Sequence, residues 1–366
     1  MTEAATQTAS TATATAAWTG IRLRELSVPN RVWLSPMCQY SADEYGAPTD
    51  WHLAHYGARA AGGVGMVFVE CTGVAPDMRT TTGDLGLYTE NQLEGHRRLA
   101  NAIRTIGSIP ALQLGAAGRK SSHGVPWDNT GTRSPLAPEN GGWQPIGPSP
   151  VPFADLAVPA EMTAADGARV LGDLEQAARY AHRAGYEALE FHGANGYLLH
   201  EFLSPLANHR TDEWGGDLEG RMRFPLEMVR ALRSGWPEDK PLLLRLPAED
   251  LMDGGLTVED MLQVASRMTA AGVDMVDLSS GALSPAARRL TEPLHNAAYG
   301  PRFRAAGIRT AASGLLTEAH QLDEAIPGLV DAVLVGRAIL RDPYWALRAR
   351  NAEPRESWPK QYHRAF

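Results

Sequence analysis

His192, Asn195 and Tyr197 are the residues of this chain whose types and spacing most directly suggest chemistry. They follow the apolar run 185–191, which fits a buried strand, so they would lie where that strand opens into a loop. In barrel and doubly wound α/β folds, ligands bind at this end of the strands. Histidine and asparagine can together hold a carbonyl oxygen, and a tyrosine can deliver a proton nearby. The structural alternative is that His192 and Asn195 only cap the helix that follows.

A second candidate site combines the pairs Ser313-Gly314 and Gly336-Arg337, which end the last two predicted strands. In many barrels the loops after these strands bind phosphate. The glycines allow close backbone approach, and Arg337 can pair a phosphate through two hydrogen bonds. The alternative is ordinary turn glycines beside a surface arginine.

Further candidates stand at or near the ends of other predicted strands: Ser35, Pro36, Met37, Cys38 and Tyr40 after the first, Cys71 after the second, Gln113 in the third and Arg245 in the fifth. Arg245 lies inside the apolar segment LLLRLP and needs a partner there, because an unpaired buried charge is costly. That partner is either a bound anionic or carbonyl-rich ligand or a carboxylate such as Glu190 or Glu249.

Other chemistries find less support in the sequence. His52 and His55 form an H-x-x-H pattern in a predicted helix, but without further ligands no metal site is expected. The glycine cluster 62–65 precedes a strand, which is the wrong context for a dinucleotide-binding fingerprint. No carboxylate pair or Ser-His-Asp arrangement for hydrolysis can be placed. The candidate set fits a barrel that holds a phosphorylated, flat, hydrogen-bonding cofactor, which points to FMN.

The elements that would position these residues repeat along the chain as a helix ending in Ala-Gly, followed almost at once by an apolar strand. Eight strands are predicted, over 31–36, 65–71, 109–115, 186–192, 241–247, 273–279, 308–313 and 332–336. Helical patterns separate them, for example over 91–106, 166–184, 218–234 and 258–271. This alternation predicts a single (β/α)8 barrel, of the TIM-barrel type, with helices covering a parallel sheet. The long connections 116–162 and 193–217 follow strands and are expected to cover the ligand-binding face.

Bulk composition limits the possible partners. The 366 residues carry a net charge of −8, with 34 basic and 42 acidic residues and no basic stripe, so nucleic-acid binding is not expected. No apolar run approaches the ~18–20 residues that cross a bilayer, so no membrane partner is expected. The two cysteines suit a reducing compartment, and a cytoplasmic protein is predicted. Residues 1–17 are of low complexity and are predicted to be a disordered tail, not a signal peptide, before a barrel domain over 18–366.

The chain resembles the Old Yellow Enzyme family of FMN-dependent oxidoreductases across nearly all of residues 18–366. The matching phrases are SPMCQYS (35–41), DWHLAHYGARA (50–60), GRK (118–120), HGANGYLLHEFLSPLANHRTDEWGGDLEGRMRF (192–224) and VGRAIL (335–340). The phrase 192–224 is highly specific because of its length. Cys38 followed by Tyr40 looks like the thermophilic-like bacterial subgroup of the family.

The resemblance implies a role for each matching residue. Ser35, Pro36, Met37 and Cys38 would line the flavin with Cys71 beside it, and Cys38 would tune its redox potential. Gln113 would bind the pyrimidine edge, Arg245 would stabilise negative charge on the reduced flavin, and Ser313, Gly314, Gly336 and Arg337 would hold the phosphate. His192 and Asn195 would bind the substrate carbonyl with help from Tyr40, and Tyr197 would donate a proton.

The resemblance also implies the reaction and the partners. Hydride would pass from NAD(P)H, with NADPH favoured, through FMN to the β-carbon of an electron-poor alkene such as an unsaturated ketone, aldehyde, maleimide or nitroalkene. Arg364 would reach the neighbouring subunit's site in a homodimer or homotetramer, unless the C-terminus is a disordered tail. Many members of the subgroup have histidine where this chain has Asn195, so site charge should vary less with pH.

Two alternatives from the sequence remain open. One is different chemistry on a flavin barrel, although uridine reduction on tRNA would call for a basic surface and amine dehydrogenation for an iron–sulfur cluster with several cysteines. The other is a flavin-binding redox sensor or carrier that does not turn over alkenes, with Cys38 as the responsive thiol.

Overall fold

The computed structural model describes residues 15–127, 134–350 and 358–365, and its centre is a closed barrel of eight parallel strands. The strands are β1 (Val32–Leu34), β2 (Met66–Gly73), β3 (Ile109–Gly115), β4 (Ala188–His192), β5 (Leu242–Pro247), β6 (Met275–Ser279), β7 (Thr310–Ala312) and β8 (Ala332–Val335). Neighbours in sequence are neighbours in the barrel, and β8 closes onto β1. The predicted (β/α)8 fold is confirmed, and each predicted strand overlaps an observed one.

Ten α-helices lie between and after the strands. They are α1 (Asp50–Ala61), α2 (Glu90–Ile106), α3 (Ala164–Ala184), α4 (Leu198–Leu203), α5 (Leu218–Gly235), α6 (Val258–Ala270), α7 (Gly300–Ala305), α8 (His320–Ala325), α9 (Arg337–Arg341) and α10 (Trp345–Ala349) among the described residues. Short 3-10 turns cover Ala16–Trp18, Pro76–Met78, Gly118–Lys120, Pro138–Asn140, Ala297–Tyr299 and Lys360–Ala365. The four predicted helices agree with α2, α3, α5 and α6 to within two residues at each end.

Capping residues explain where the long helices begin and end. α3 and α6 begin at Thr163 and Thr257, whose hydroxyls accept from the backbone N–H three residues on. α3 ends at Gly185, whose φ of +90° suits glycine, and the chain then turns directly into β4. This Ala-Gly ending is what the repeated sequence phrase predicts.

An apolar plug closes the barrel at the N-terminal ends of its strands. Inward residues such as Trp33, Phe68 and Leu243 pack with Leu23 and Val28 of a hairpin formed by Ile21–Leu23 and Leu26–Val28. A larger apolar layer fills the space between the strands and the surrounding helices. Because the N-terminal end is filled with side chains, ligands can enter only from the C-terminal ends of the strands.

The folded part begins slightly before the predicted boundary. Ala17 is fully buried and its carbonyl accepts from the N–H of Arg31, so the predicted tail of residues 1–17 is too long at its C-terminal end. Residues 1–14 lie outside the described residues. Over the described parts of the chain, no helix is long and apolar enough to span a membrane.

Candidate active site

A cavity of about 320 Å³ opens at the C-terminal ends of the barrel strands. It is lined by Ser35, Pro36, Met37, Gln113, His192, Asn195, Arg245, His295, Asn296, Ser313, Gly314, Leu315, Gly336 and Arg337. The lining includes every cofactor residue predicted from the sequence except Cys38 and Cys71. It also includes two residues of the predicted substrate cluster. We refer to it below as the inner cavity.

His192 ends β4, and its surroundings determine which ring nitrogen carries the proton. The backbone N–H of Ala194 donates to Nδ1 at 3.3 Å, which places the proton of the neutral ring on Nε2. Burial lowers the pKa of His192 well below its usual value, and the positive charges of Arg245 and Lys120 lower it further. His192 is therefore a neutral donor at the wall of the inner cavity.

Asn195 lies three residues further on, in a left-handed conformation with φ +53° that asparagine tolerates. Its side-chain oxygen accepts from the Ser279 hydroxyl at 2.9 Å, and this bond orients the amide NH₂ as the remaining donor. Asn195 and His192 line the same cavity, and each has an N–H donor that is not used in these bonds. The alternative in which they only cap a helix is not observed, because Tyr197 is the N-cap of α4.

Tyr197 lines a larger cavity of about 790 Å³, which we call the outer cavity. The two cavities adjoin, since Asn195, His295, Leu315 and Arg337 line both. The rings of Tyr197 and His192 meet edge to face with centroids 4.6 Å apart. The phenol is therefore beside the donor pair, as its position in the sequence predicts.

Lys120 is a residue of this site whose role the sequence did not reveal. It is 4% exposed, and its ammonium donates to the backbone carbonyls of Asn195 and Ala282. It also lies 3.9 Å from the centroid of the Phe153 ring and 5.6 Å from that of Tyr197. Lys120 thereby ties the left-handed turn at Asn195 to the loop after β6 and brings positive charge to the phenol.

Arg245 in β5 is buried and has a carboxylate partner on the next strand. Its Nη1 lies 3.2 Å from Oδ2 of Asp277, and Nη2 donates to the Ser313 hydroxyl at 3.0 Å. The sequence suggested Glu190 or Glu249 as the carboxylate, but the ion pair is with Asp277, and Glu190 only lies close enough to interact electrostatically with Arg245. The strand register pairs Arg245 with Asp277, whereas Glu249 accepts from the hydroxyl of Tyr299. Asp277 is also a charged residue inside an apolar segment, MVDLS, so the reasoning that singled out Arg245 could have identified Asp277 as its partner.

Glu190 in β4 and Gln113 in β3 form the neighbouring buried pair. Gln113 donates to Glu190 Oε1 at 2.7 Å, and the strand register sets the two residues opposite each other. Burial, reinforced by the negative charge of Asp277, raises the pKa of Glu190 to about 8, and burial also raises that of Asp277. Two buried carboxylates lie near one guanidinium, and the repulsion between them favours the protonated form of one carboxyl.

Two glycines bring backbone close to the inner cavity. Gly314 has φ +145°, and a Cβ there would lie 3.2 Å from the His295 ring. A Cβ on Gly336 would lie 3.3 Å from Sδ of Met37. His295, Asn296 and Leu315, which complete this wall, were missed because they lie in loops that carry no periodic pattern.

Cys38, Tyr40 and Cys71 do not line either cavity. Tyr40 has φ +50° and packs edge to face against Trp127, with centroids 5.5 Å apart. Cys71 lies over Gly115 of β3, where an added Cβ would be 2.2 Å from its Sγ. Burial raises the pKa of Cys71, and no disulfide joins the two cysteines.

Known proteins show which family this architecture belongs to. Residues 18–356 match the model of the NADH:flavin oxidoreductase / NADH oxidase family. The NADPH dehydrogenase of Geobacillus thermodenitrificans is 39% identical over 348 residues, which cover 94% of this chain and 96% of that protein.

The chain belongs to this family. As a member of the NADH:flavin oxidoreductase family it is an enzyme, an oxidoreductase that uses FMN, as the sequence predicts.

Two solved structures share the fold of this family member. Morphinone reductase superimposes with a TM-score of 0.75 at 24% identity, covering 93% of this chain and 90% of that one. The Old Yellow Enzyme homologue of Zymomonas mobilis gives a TM-score of 0.75 at 23% identity, covering 95% and 98%. These two likenesses show the fold, and the predicted resemblance to a family of FMN-dependent oxidoreductases is confirmed by the family match and the 39% identical relative.

The inner cavity of this flavoenzyme fits FMN. The Nε of Arg245 is buried without a hydrogen-bond partner in the described part of the chain, at a cavity wall that also carries the Gln113 amide. Close backbone approach at Gly314 and Gly336, with Arg337 beside them, suits a phosphate. The donors therefore match a group with a polar ring edge and an anionic end.

Arg364 lines neither cavity. It is exposed in the 3-10 turn Lys360–Ala365, and Tyr362 of the same turn bonds to Tyr344 after α9. The C-terminal end is thus held against its own barrel at Tyr362, with Arg364 on the surface.

Proposed function

We propose that this flavin oxidoreductase is an ene-reductase that moves hydride from NAD(P)H through FMN to the β-carbon of electron-poor alkenes. The substrate class comprises unsaturated ketones and aldehydes, maleimides and nitroalkenes. The observation that carries this proposal is the presence of two neutral N–H donors, His192 and Asn195, on the wall of the inner cavity, with the phenol of Tyr197 edge to face against the His192 ring. NADPH is the favoured donor because the relative at 39% identity is named NADPH dehydrogenase.

The inner-cavity side chains would hold the cofactor by its two ends. Gln113 and Arg245 would face the ring, with Ser35, Pro36 and Met37 along it, and Ser313, Gly314, Gly336 and Arg337 would take the phosphate. When bound, FMN accepts hydride from the nicotinamide and delivers it to the alkene. Cys38 and Cys71 are not part of this lining; they would lie beside the flavin, where Cys38 would tune its redox potential.

His192 and Asn195 would bind the electron-withdrawing oxygen of the alkene. Negative charge develops on that oxygen as hydride reaches the β-carbon, and two fixed N–H donors stabilise it. Because His192 is neutral and Asn195 cannot ionise, both act as hydrogen-bond donors and neither acts as an acid.

Tyr197 would protonate the α-carbon. Its O–H bond breaks as the new C–H bond forms, and solvent returns the proton to the phenolate before the next turnover. The ammonium of Lys120, 5.6 Å from the ring centroid, stabilises the phenolate in the interval.

The Tyr197→Phe variant tests this proton transfer. We expect reoxidation of the reduced enzyme by 2-cyclohexenone to slow by about 10²–10⁴-fold, the usual contribution of a positioned acid, while reduction by NADPH and flavin content stay normal. The matched control is Tyr45→Phe, whose side chain is 62% exposed and lines neither cavity. Equal alkene reduction by the Tyr197→Phe variant would refute the assignment of Tyr197 as the acid.

Arg364 supports a further proposal, that the active unit is a homodimer or homotetramer in which this arginine reaches the neighbouring subunit's site. Its exposure and its absence from the lining of both cavities support the proposal.

A further inference from the structure

The lining of the outer cavity is positively charged, whereas the chain as a whole is negatively charged. The lining contains Lys120, Arg288, Arg289 and Arg337, together with His295, and it contains no aspartate or glutamate. The whole chain carries a net charge of −8. A cavity of about 790 Å³ with four cations and no acid at its surface is built for an anion larger than the flavin phosphate alone.

Two of these four cations already have a task. Lys120 donates to the carbonyls of Asn195 and Ala282, and Arg337 also lines the inner cavity beside the proposed flavin phosphate. Arg288 and Arg289 remain. Within residues 15–127, 134–350 and 358–365, no carboxylate lies within ion-pair distance of either side chain, and both residues are exposed.

The loop that carries the two arginines, residues 280–291, is held in place by its backbone. The N–H of Arg288 donates to the backbone carbonyl of Leu251 at 3.0 Å, and the N–H of Gly281 donates to the backbone carbonyl of Glu249 at 2.8 Å. The same loop supplies Ala282, whose carbonyl Lys120 ties to Asn195. The two arginines are therefore carried by an ordered backbone at the edge of the outer cavity, which continues into the inner one.

We propose that Arg288 and Arg289 bind the phosphate groups of the dinucleotide that delivers the hydride. The inference rests on the proposed function, because the nicotinamide must reach the inner cavity while the rest of the dinucleotide lies in the outer one. A guanidinium pairs a phosphate through two parallel hydrogen bonds, which makes arginine suited to this task. Leu251 and Leu290 line the same cavity and offer apolar surface to the adenosine. Recognition of the donor is thereby assigned to the loop after β6.

The test uses the FMN-loaded protein with the variants Arg288→Ala, Arg289→Ala and the double variant. The matched control is Arg267→Ala, which also removes one positive charge. Arg267 forms an exposed ion pair with Glu219 and lines neither cavity. Calorimetry measures the Kd of adenosine 2′,5′-bisphosphate, and steady-state kinetics measures KM for NADPH and for NADH. We expect the double variant to bind the bisphosphate and NADPH about 10- to 100-fold more weakly, and the control to match the wild type.

The two coenzymes distinguish which phosphate is bound. A rise in KM for NADPH alone assigns the arginines to the 2′-phosphate, and an equal rise for both coenzymes assigns them to the pyrophosphate. An unchanged bisphosphate Kd together with unchanged KM values overturns the proposal. Photoreduced enzyme mixed with 2-cyclohexenone tests the function separately. If the wild type is not reoxidised, ene-reduction fails, and bisphosphate binding still decides the role of the arginines.

Discussion

His192 and Asn195 show how single residues set the chemistry of the site. The N–H of Ala194 fixes the tautomer of His192, and the hydroxyl of Ser279 fixes the amide of Asn195. Neither partner is visible in the sequence, since Ser279 belongs to another strand and the Ala194 bond depends on the local turn. The sequence located both donors, because polar residues after an apolar strand are easy to find. It could not show which way their N–H groups point.

The low pKa of His192 predicts how alkene binding depends on pH. A pKa lowered by burial keeps the ring neutral throughout about pH 5.5–7, where an ordinary histidine would titrate. We expect KM for 2-cyclohexenone to be constant over this range. The Asn195→His variant adds a second, half-exposed ring and should introduce an inflection. An inflection near pH 6.5 in the wild type would show that His192 is charged in part of this range.

Strands β2 and β3 show how two elements share a crowded contact. The register between them shifts at Val69 and Thr72, and Cys71 lies in this irregularity with its sulfur directly over Gly115. A strand prediction from apolar patterning finds both strands but not the bulge, because a bulge changes the pairing without changing the pattern. The sequence assigned Cys71 to the flavin, and it gave no sign of the close contact between its sulfur and the neighbouring strand.

The contact between these strands predicts a specific rescue. Gly115→Ala places a Cβ 2.2 Å from Sγ of Cys71, and we expect this overpacking to lower the free energy of unfolding by about 1–3 kcal/mol. Urea denaturation of Gly115→Ala, of Cys71→Ala and of the double variant, which lacks the sulfur, measures the loss and its rescue. A double variant as unstable as Gly115→Ala alone would contradict the packing described here.

Stability of the whole molecule is linked to buried carboxylates. Glu201 in α4 is fully buried and accepts from the N–H of Arg119 at 2.9 Å, which fastens the turn that carries Lys120. Burial raises its pKa to about 8. The pKa of Glu201 is thus higher in the folded protein than in the unfolded chain. Its contribution to the free energy of unfolding is therefore complete below about pH 4.5 and is lost as pH rises through about 8.

The Glu201→Gln variant isolates this contribution. Between pH 7 and 8 Glu201 is fully ionised in the unfolded chain but still titrates in the folded protein, so it contributes to the slope in this range. We expect the wild-type free energy of unfolding to fall with rising pH by up to ~1.4 kcal/mol per pH unit from this one group. The variant should show a flatter slope in urea denaturation at several pH values. Equal slopes would mean that Glu201 is ionised in the folded protein.

Assembly is the second property of the whole molecule, and the sequence predicts it only through the C-terminal arginine. Deleting residues 360–366 should raise KM for the alkene, because each site would lose a neighbour's Arg364. Arg364→Ala in the full chain is the narrower variant, since it keeps the contact of Tyr362 with Tyr344. Kinetics and sedimentation of both variants test the proposal, and unchanged KM in both would reject it.

The barrel itself was predictable because each strand is a continuous apolar run that follows a helix with a glycine cap. The contacts that the sequence did not show lie between distant segments, namely the pairing of Arg245 with Asp277 and of Lys120 with the carbonyls of two loops. Such contacts depend on strand register and on loop paths. Neither leaves a periodic trace in the sequence.

An anaerobic absorption titration of the purified protein tests the central claim most directly. The oxidised flavin band is recorded, NADPH is added until the band bleaches, and 2-cyclohexenone is then added in excess. The proposed function predicts bleaching followed by full recovery of the band. Bleaching without recovery would contradict ene-reduction and favour a flavin-bound sensor or carrier.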